Sequence, residues 1–186
     1  ETLHWAEKNL AETRMEVKGR EKAVPTGNLL VGLFQHDTNR NQEPNANFHA
    51  VVANVTQGPE GKWRALRNDK LWAHNTLLNA MTMARFRLSV EKLGYEIGEQ
   101  SKHGNFEAAG VTKEQRDAFS TRRAEVLAQL ARMDTKGPGA TDAATLMTRA
   151  AKVTIEDRAA LGRSWNDKAA ELGFDPTAVI ARANAR

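Results

Sequence analysis

Residues 26–57 read TGNLLVGLFQHDTNRNQEPNANFHAVVANVTQ and form the most informative segment of the sequence. Two runs within it, residues 28–36 and 48–57, contain many of the branched and aromatic residues that favour β-strands. Residues 37–47 lie between the runs and are rich in Asn, Asp and Pro, which favour turns. The stretch is therefore predicted to form a β-hairpin. Because both runs are apolar on both faces, the hairpin is expected in a sheet covered on each side or at the centre of a core.

The flanking sequence extends this hairpin into a mixed unit of helices and strands. Apolar residues recur at helical spacing over residues 2–18, which predicts a helix there. Residues 62–66 are predicted to return as a third antiparallel strand. Asp69 is expected to cap a helix that ends near Leu93, with Gly94 as its C-terminal cap.

The sequence after Val111 has a different character. It is rich in Ala, Arg and Glu and predicts helices over residues 113–133, 142–150, 155–172 and 176–183. Residues 134–141, DTKGPGAT, are predicted to be a linker. The expected fold class is α+β, with a unit formed by residues 1–110 and a helical appendage formed by residues 111–186.

Composition excludes several classes of protein. The 186 residues include no cysteine, which rules out disulfides and thiolate zinc sites. No apolar run approaches the roughly 20 residues of a membrane-spanning helix, so no membrane insertion is expected. The net charge of +4 weakly favours a polyanionic partner.

His36 and His49 are the candidate chemical residues. A hairpin brings the end of its first strand beside the start of its second, and side chains at positions i and i+2 share a face. His36, Asn47 and His49 can therefore converge on one point and bind a divalent cation. Two imidazoles and an amide oxygen suit Mg²⁺ or Mn²⁺ better than Zn²⁺, and weak binding is expected. The alternative is that the two histidines are structural and cap the polar mouth of the hairpin.

The sequence of residues 26–57 resembles the metal-site segment of conjugative relaxases of the TrwC/TraI kind (MobF), which are HUH endonucleases. The resemblance rests on the HDTxR start at His36, the proline four residues after Arg40, the final histidine, and the VVAN strand that follows it. It continues through Leu93-Gly94-Tyr95-Glu96 and residues 102–107 and is strong to about residue 123, whereas the helical tail matches more loosely.

The resemblance implies a partial antiparallel palm of the HUH relaxase type, with helices packed on it. It also implies a bacterial, cytoplasmic plasmid protein that nicks one DNA strand at an origin of transfer. In this family a tyrosine attacks the phosphate, and a site of three histidines holds a metal ion that polarises it. His36 and His49 match two of those ligands, whereas Asn47 stands where the family has the third histidine. The implied partners are single-stranded origin DNA, relaxosome proteins and type IV secretion components.

Two departures from the family pattern limit the expected activity. The family's catalytic tyrosines lie near its N-terminus, and the sole tyrosine here, Tyr95, falls at a structural position. The chain is therefore interpreted as a piece of a relaxase whose N-terminal half is missing, and it is expected not to nick DNA alone. The alternatives are a degenerate, non-catalytic DNA-binding module and, from a different class, a metal-dependent hydrolase unrelated to conjugation.

The predicted DNA contacts are Arg40 in the turn and Lys102 and His103 at the tip of a second, shorter hairpin. The alternative for each is a plain surface charge. The tryptophans and the segment Met81–Leu88 are predicted to pack in or at the edge of the core. Arginines of the appendage, among them Arg122, are interleaved with acids and are predicted to form a solvated helix face.

Overall fold

The computed structural model describes residues 1–101, 104–134, 137–149, 151 and 155–186. The chain forms two compact units. The first comprises residues 1–35 and 48–107, and the second comprises residues 36–47 and 108–186. The predicted boundary between a unit of residues 1–110 and an appendage of residues 111–186 stays a prediction.

The N-terminal part of the chain contains both helices and strands. In chain order they are α1 (Thr2–Leu10), β1 (Glu12–Val17), β2 (Arg20–Pro25), β3 (Val31–Thr38), β4 (Pro44–Val52), β5 (Val55–Gln57), β6 (Trp63–Arg67), α2 (Asp69–Ala73), α3 (Asn75–Lys92), β7 (Ile97–Gln100) and β8 (Phe106–Ala108). One sheet has the strand order β2-β1-β6-β5, while β3 pairs with β4 and β7 pairs with β8. The mixture of helices and antiparallel strands confirms the predicted fold class.

The predicted helix over residues 2–18 is wrong beyond Leu10. Residues 12–17 form β1, which pairs antiparallel with β2 from Glu12↔Pro25 to Val17↔Arg20. The two strands are joined by Lys18 and Gly19, which both have positive φ, 54° and 72°. Two such residues are what a two-residue hairpin turn requires. Gly19 therefore makes a turn rather than the break that ends a helix.

Buried polar side chains on β1 connect this strand to neighbouring elements of the first unit. Glu12 is only 2% exposed, and its carboxylate lies 2.8 Å from Lys70 Nζ and 3.5 Å from Arg67 Nη1. Thr13, which is 1% exposed, donates its hydroxyl to the carbonyl oxygen of Ala65 at 2.8 Å. The buried polar side chains of Glu12 and Thr13 thus have partners, as burial away from water demands.

A hydrogen-bonded cluster fixes both ends of the segment with which the sequence analysis began. The fully buried Thr56 hydroxyl lies 2.7 Å from Thr26 Oγ1 and 2.9 Å from both the carbonyl oxygen and Oδ1 of Asn28. Gln57 N–H donates to Asn28 Oδ1 at 2.7 Å. The TGN and VTQ ends of the segment therefore carry structural side chains that tie the entry of β3 to β5.

The predicted helix over residues 69–93 is two helices, α2 and α3, separated at His74. Asp69 is not the cap, because Asn68 holds that position and Asp69 instead accepts a hydrogen bond from Arg67 Nε at 2.6 Å. The predicted C-terminal stop is confirmed. Gly94 has φ 86° and donates to Glu91 O, and Tyr95 N–H donates to Val90 O, which together form a Schellman motif.

The second unit contains the helices of the C-terminal segment. They are α4 (Lys113–Ala118), α5 (Thr121–Arg132), α6 (Pro138–Met147), α7 (Arg158–Glu171) and α8 (Pro176–Asn184). The predicted helix over residues 113–133 is divided because Phe119 and Ser120 leave the helical conformation. Lys168 stabilises this break, because its ammonium donates to Ala118 O at 2.6 Å and lies 4.9 Å from the centre of the Phe119 ring.

Large apolar side chains of the first unit are exposed, contrary to the prediction of a covered hairpin and a buried α3. In the hairpin, Leu33 is 63% exposed and Phe48 is 70% exposed. No residue of α3 is buried, although Phe86 stacks on Phe106 with ring centres 5.4 Å apart. Trp63 and Trp72 are also exposed rather than core residues.

Among the residues that the structure describes, no helix combines the length and the apolar character needed to cross a membrane.

Candidate metal and DNA site on the β3–β4 hairpin

The turn between β3 and β4 has a defined geometry. Gln42 N–H donates to Asn39 O at 3.1 Å, and Gln42 has a positive φ of 58°. Asn39 N–H donates to Glu43 O at 3.1 Å and closes the hairpin. A β-turn followed by a left-handed residue is a common three-residue hairpin loop with a bulge. Because five residues are too few for a parallel crossover, β3 and β4 are antiparallel.

Asn39 explains why a loop without glycine adopts this turn. Its Oδ1 accepts hydrogen bonds from Asn41 N–H at 2.9 Å and from Glu43 N–H at 3.0 Å. An asparagine that bonds the backbone two residues ahead imitates a backbone turn. These bonds offset the cost of the positive φ at Gln42, which has a Cβ and would avoid that conformation alone.

The three predicted metal ligands lie on this hairpin. His36 is in β3, and Asn47 and His49 are in β4. Both histidines are exposed and Asn47 is half-buried. Asn47 Nδ2 donates a hydrogen bond to Asn45 O at 3.0 Å, and the side-chain oxygen Oδ1 takes no part in this bond. That Oδ1 is buried and has no hydrogen-bond partner among the residues that the structure describes.

An unpartnered buried oxygen is costly, so its presence needs an explanation. Asn47 Oδ1 is a neutral oxygen donor of the kind that Mg²⁺ and Mn²⁺ accept, and it stands on the hairpin that carries two imidazoles. These residue types fit a weak divalent-cation site. Across the described ranges, no group of three or more His, Cys, Asp or Glu side chains could hold a metal ion, so Asn47 would have to complete the ligand set.

The turn continues into Glu43, whose side chain is buried although the sequence places it in a polar loop. Glu43 is 6% exposed. Its Oε1 accepts a hydrogen bond from Thr121 N–H at 2.8 Å and another, short, bond from the Thr121 hydroxyl. Its Oε2 accepts from Asn39 Nδ2 at 2.6 Å. Burial raises the pKa of Glu43, but the bonds from Thr121 and Asn39 and the charge of Lys168 outweigh it, and the net pKa is lowered.

Helix α7 also contacts the turn. Trp165 donates its indole N–H to Gln42 O at 2.7 Å. Arg158 donates two hydrogen bonds to the Asp37 carboxylate, of which the one from Nη2 to Oδ1 measures 3.3 Å. The Arg158 hydrogen bond is the main reason why the pKa of Asp37 lies below its ordinary value. Asp37, next to His36, is thus paired with a residue 121 positions away.

Of the three predicted DNA-contacting residues, the structure describes Arg40. Arg40 lies at the turn and is half-buried. Lys102 and His103 lie outside the described residues. Tyr95 is half-buried after α3, where its backbone N–H completes the helix end, and its structural role stays a prediction.

Sequence reasoning missed the residues that hold the turn from the second unit, namely Glu43, Thr121, Arg158 and Trp165. Glu43 reads as one more polar residue before a proline, and nothing local indicates its partner 78 positions later. Arg122 was expected on a solvated face, yet it donates to Thr148 O at 2.7 Å and Thr145 O at 2.8 Å and so caps the C-terminus of α6.

Comparisons with known proteins identify the family to which the chain belongs. The TrwC relaxase family matches residues 1–172. The chain is 36% identical to the multifunctional conjugation protein TraI of Escherichia coli, in an alignment that covers 89% of this chain and 10% of TraI. TraI of Escherichia coli strain K12 gives the same identity and coverage.

Solved structures agree. The conjugative relaxase TrwC in complex with oriT DNA, in a metal-free state, matches with a TM-score of 0.86 and 34% identity. The match covers 94% of this chain and 61% of that one. A metal-bound TrwC complex with oriT DNA gives the same TM-score and identity.

The chain belongs to the TrwC relaxase family. It spans about one tenth of the length of the curated relatives that it matches and about three fifths of the solved TrwC chains.

Proposed function

We propose that this chain is the part of a bacterial conjugative relaxase that supplies the cation-binding hairpin and part of the surface that binds single-stranded origin DNA. The observation that carries the proposal is the buried, unpartnered Asn47 Oδ1 on the hairpin that also bears His36 and His49. Family membership supports the same reading, because solved TrwC complexes contain oriT DNA and include metal-bound forms.

His36, Asn47 and His49 would hold the cation, with Mg²⁺ or Mn²⁺ preferred and Zn²⁺ a weaker fit. A bound divalent ion neutralises a phosphate and stabilises the charge that develops on its oxygens during cleavage. Arg40 in the turn, with Lys102 and His103, would contact the DNA backbone. Asp37, the residue after His36, pairs with Arg158 and so ties this end of β3 to α7.

The exposed apolar surface of the first unit supports a further partner, the N-terminal half of the relaxase domain. Leu33, Phe34 and Phe48 are more than half exposed on the hairpin, and Phe86 and Leu88 are 55% exposed on α3. Exposed apolar side chains in such number mark a contact surface. About two fifths of the solved TrwC chain lies outside the match, and a corresponding segment could cover this surface. We also propose that the partners of the protein include relaxosome proteins and type IV secretion components. The proposed location is the cytoplasm.

Titration calorimetry with Mn²⁺ tests the cation site. Because the third ligand position holds an amide, Asn47→His should tighten binding at least tenfold, and His36→Ala should abolish it. Ala46→His is the matched control, because residue 46 lies on the opposite face of β4 and a histidine there cannot join the site. Equal affinities of Asn47→His and Ala46→His would refute a cation site on the hairpin.

The second candidate is a degenerate, non-catalytic DNA-binding module, favoured by the amide at position 47. In that case single-stranded DNA binding, measured by fluorescence anisotropy, would be the same in EDTA and in Mn²⁺. For a relaxase site, Mn²⁺ should tighten DNA binding and the effect should be lost in His36→Ala.

A further inference from the structure

Helix α5 begins without a capping side chain of its own. Ser120 occupies the N-cap position and makes no side-chain cap hydrogen bond. The first N–H of the helix, that of Thr121, instead donates to the buried carboxylate of Glu43. A carboxylate at a helix N-terminus satisfies a donor that would otherwise lack a partner and interacts favourably with the helix dipole. Glu43 thus caps α5 from 78 positions earlier in the chain.

The same carboxylate fixes the turn. Its second oxygen accepts from Asn39 Nδ2, and Asn39 Oδ1 in turn accepts from the backbone of Asn41 and Glu43. Glu43 therefore joins the N-terminus of α5 to both ends of the loop. Asn41 Nδ2 adds a bond to Glu125 Oε1 at 3.1 Å, one turn further along α5.

Turn geometry sets the register of a hairpin, and a slip of one residue moves every side chain to the opposite face. His36 lies three residues before Asn39, and Asn47 lies four residues after Glu43. The faces presented by His36 and Asn47 therefore depend on the loop that Glu43 holds.

We propose that Glu43 is a positioning residue for the cation site, acting through the β3–β4 turn with Thr121 as its anchor on α5. This inference rests on the proposed function. Helix α5 thereby contributes to cation affinity without supplying a ligand, in the manner of the outer-shell partners that orient metal ligands elsewhere.

The test compares Mn²⁺ affinities of the full chain and four variants at pH 7, in the native and the Asn47→His background. Glu43→Gln and Thr121→Val should each weaken binding about tenfold or more, the range found for lost outer-shell partners. Thr121→Ser keeps the hydroxyl and the N–H and should restore the affinity of the parent. Glu60→Gln is the matched control, since Glu60 pairs with Arg64 and lies in the first unit.

Circular dichroism without metal must show that each variant is folded at the temperature of the titration. If Glu43→Gln does not fold, the comparison of Thr121→Val with Thr121→Ser decides. If Thr121→Val and Thr121→Ser have the same unfolding midpoint without metal but only Thr121→Val binds Mn²⁺ more weakly, a general loss of stability cannot explain the weaker binding.

The two proposals fail differently. If neither the parent nor Asn47→His binds Mn²⁺, the proposed function fails and the positioning role falls with it. If they bind and Glu43→Gln and Thr121→Val bind equally well, the cation site stands and the positioning role is refuted.

Discussion

Replacing Glu43 with glutamine should destabilise the second unit in a pH-dependent manner. The carboxylate accepts two bonds from Thr121 and one from Asn39, and its side chain is 6% exposed. Glutamine has the same shape but only one oxygen. Whichever way the amide is turned, one of the two donor groups faces an NH₂ group.

The magnitude follows from these bonds. A hydrogen bond to a charged group contributes about 1.5–3 kcal/mol, roughly twice the contribution of a neutral one. Losing one such bond and weakening the others should lower the free energy of unfolding by about 2–4 kcal/mol at pH 7. With a urea dependence of about 2 kcal/mol per molar, the midpoint should fall by about 1–2 M.

The pH dependence gives a second, independent check. Because the folded-state pKa of Glu43 lies below its ordinary value, the stabilisation is fully present above the unfolded pKa of about 4.3. It is lost as the pH falls through the lower folded pKa. The difference between the parent and Glu43→Gln should therefore be constant from pH 7 to pH 5 and shrink below pH 4.

Urea unfolding followed by circular dichroism at 222 nm, between pH 3 and pH 7, measures both quantities. Glu60→Gln, which alters an exposed pair, should leave the midpoint at pH 7 nearly unchanged. A loss below 0.5 kcal/mol, or a difference that persists unchanged to pH 3, would show that Glu43 does not act as a buried carboxylate.

Three further predictions concern separate features. Gly162→Ala and Gly173→Ala should shift stability in opposite directions in urea unfolding. Gly162 lies inside α7 and alanine should stabilise it by about 0.5–1 kcal/mol, whereas Gly173 ends α7 at φ +62° and alanine should cost about 1 kcal/mol. A Cβ meets nothing within 4 Å at either site, so shifts of the same sign would contradict the conformational argument. Thr56→Val should lower the free energy of unfolding by about 1–3 kcal/mol because it leaves Asn28 Oδ1 and Thr26 without their buried partner, and a neutral result would mean that water replaces the hydroxyl. The chain incubated with a supercoiled origin plasmid and Mg²⁺ should leave it supercoiled, since Tyr95 is placed at a helix end; a covalent protein–DNA band on a denaturing gel would restore Tyr95 as a nucleophile.

The sequence predicted those parts of the fold whose cause is local. The β3–β4 hairpin, the stop at Gly94 and the start of α8 near Pro176 each follow from turn formers, a positive-φ glycine or a capping residue within a few positions. Residues 12–17 were assigned to a helix because their helical spacing is continuous with α1. Pairing with β2 outweighed that weak local preference.

The candidate ligands could be named from the sequence, because two histidines and a turn suffice to suggest them. The residues that hold the hairpin turn in place could not be named from the sequence. Glu43, Arg158 and Trp165 act through partners 78 to 123 positions away, and separations of that size leave no trace in local pattern. The exposed hairpin was also unforeseen, since an apolar strand does not reveal whether its cover belongs to the same stretch of chain.

The twelve residues from His36 to Asn47 belong to the second unit although the first unit surrounds them in sequence. No single cut in the chain separates the two units, so expressing residues 108–186 alone would remove the loop that caps α5 and accepts the Trp165 bond. Folding carries the same constraint. The helices can form early from local contacts, but the bonds to the turn close loops of 78 residues or more and should be made late. The helical unit is therefore completed only when an earlier part of the chain has folded into its hairpin, which makes the order of assembly a property of the topology.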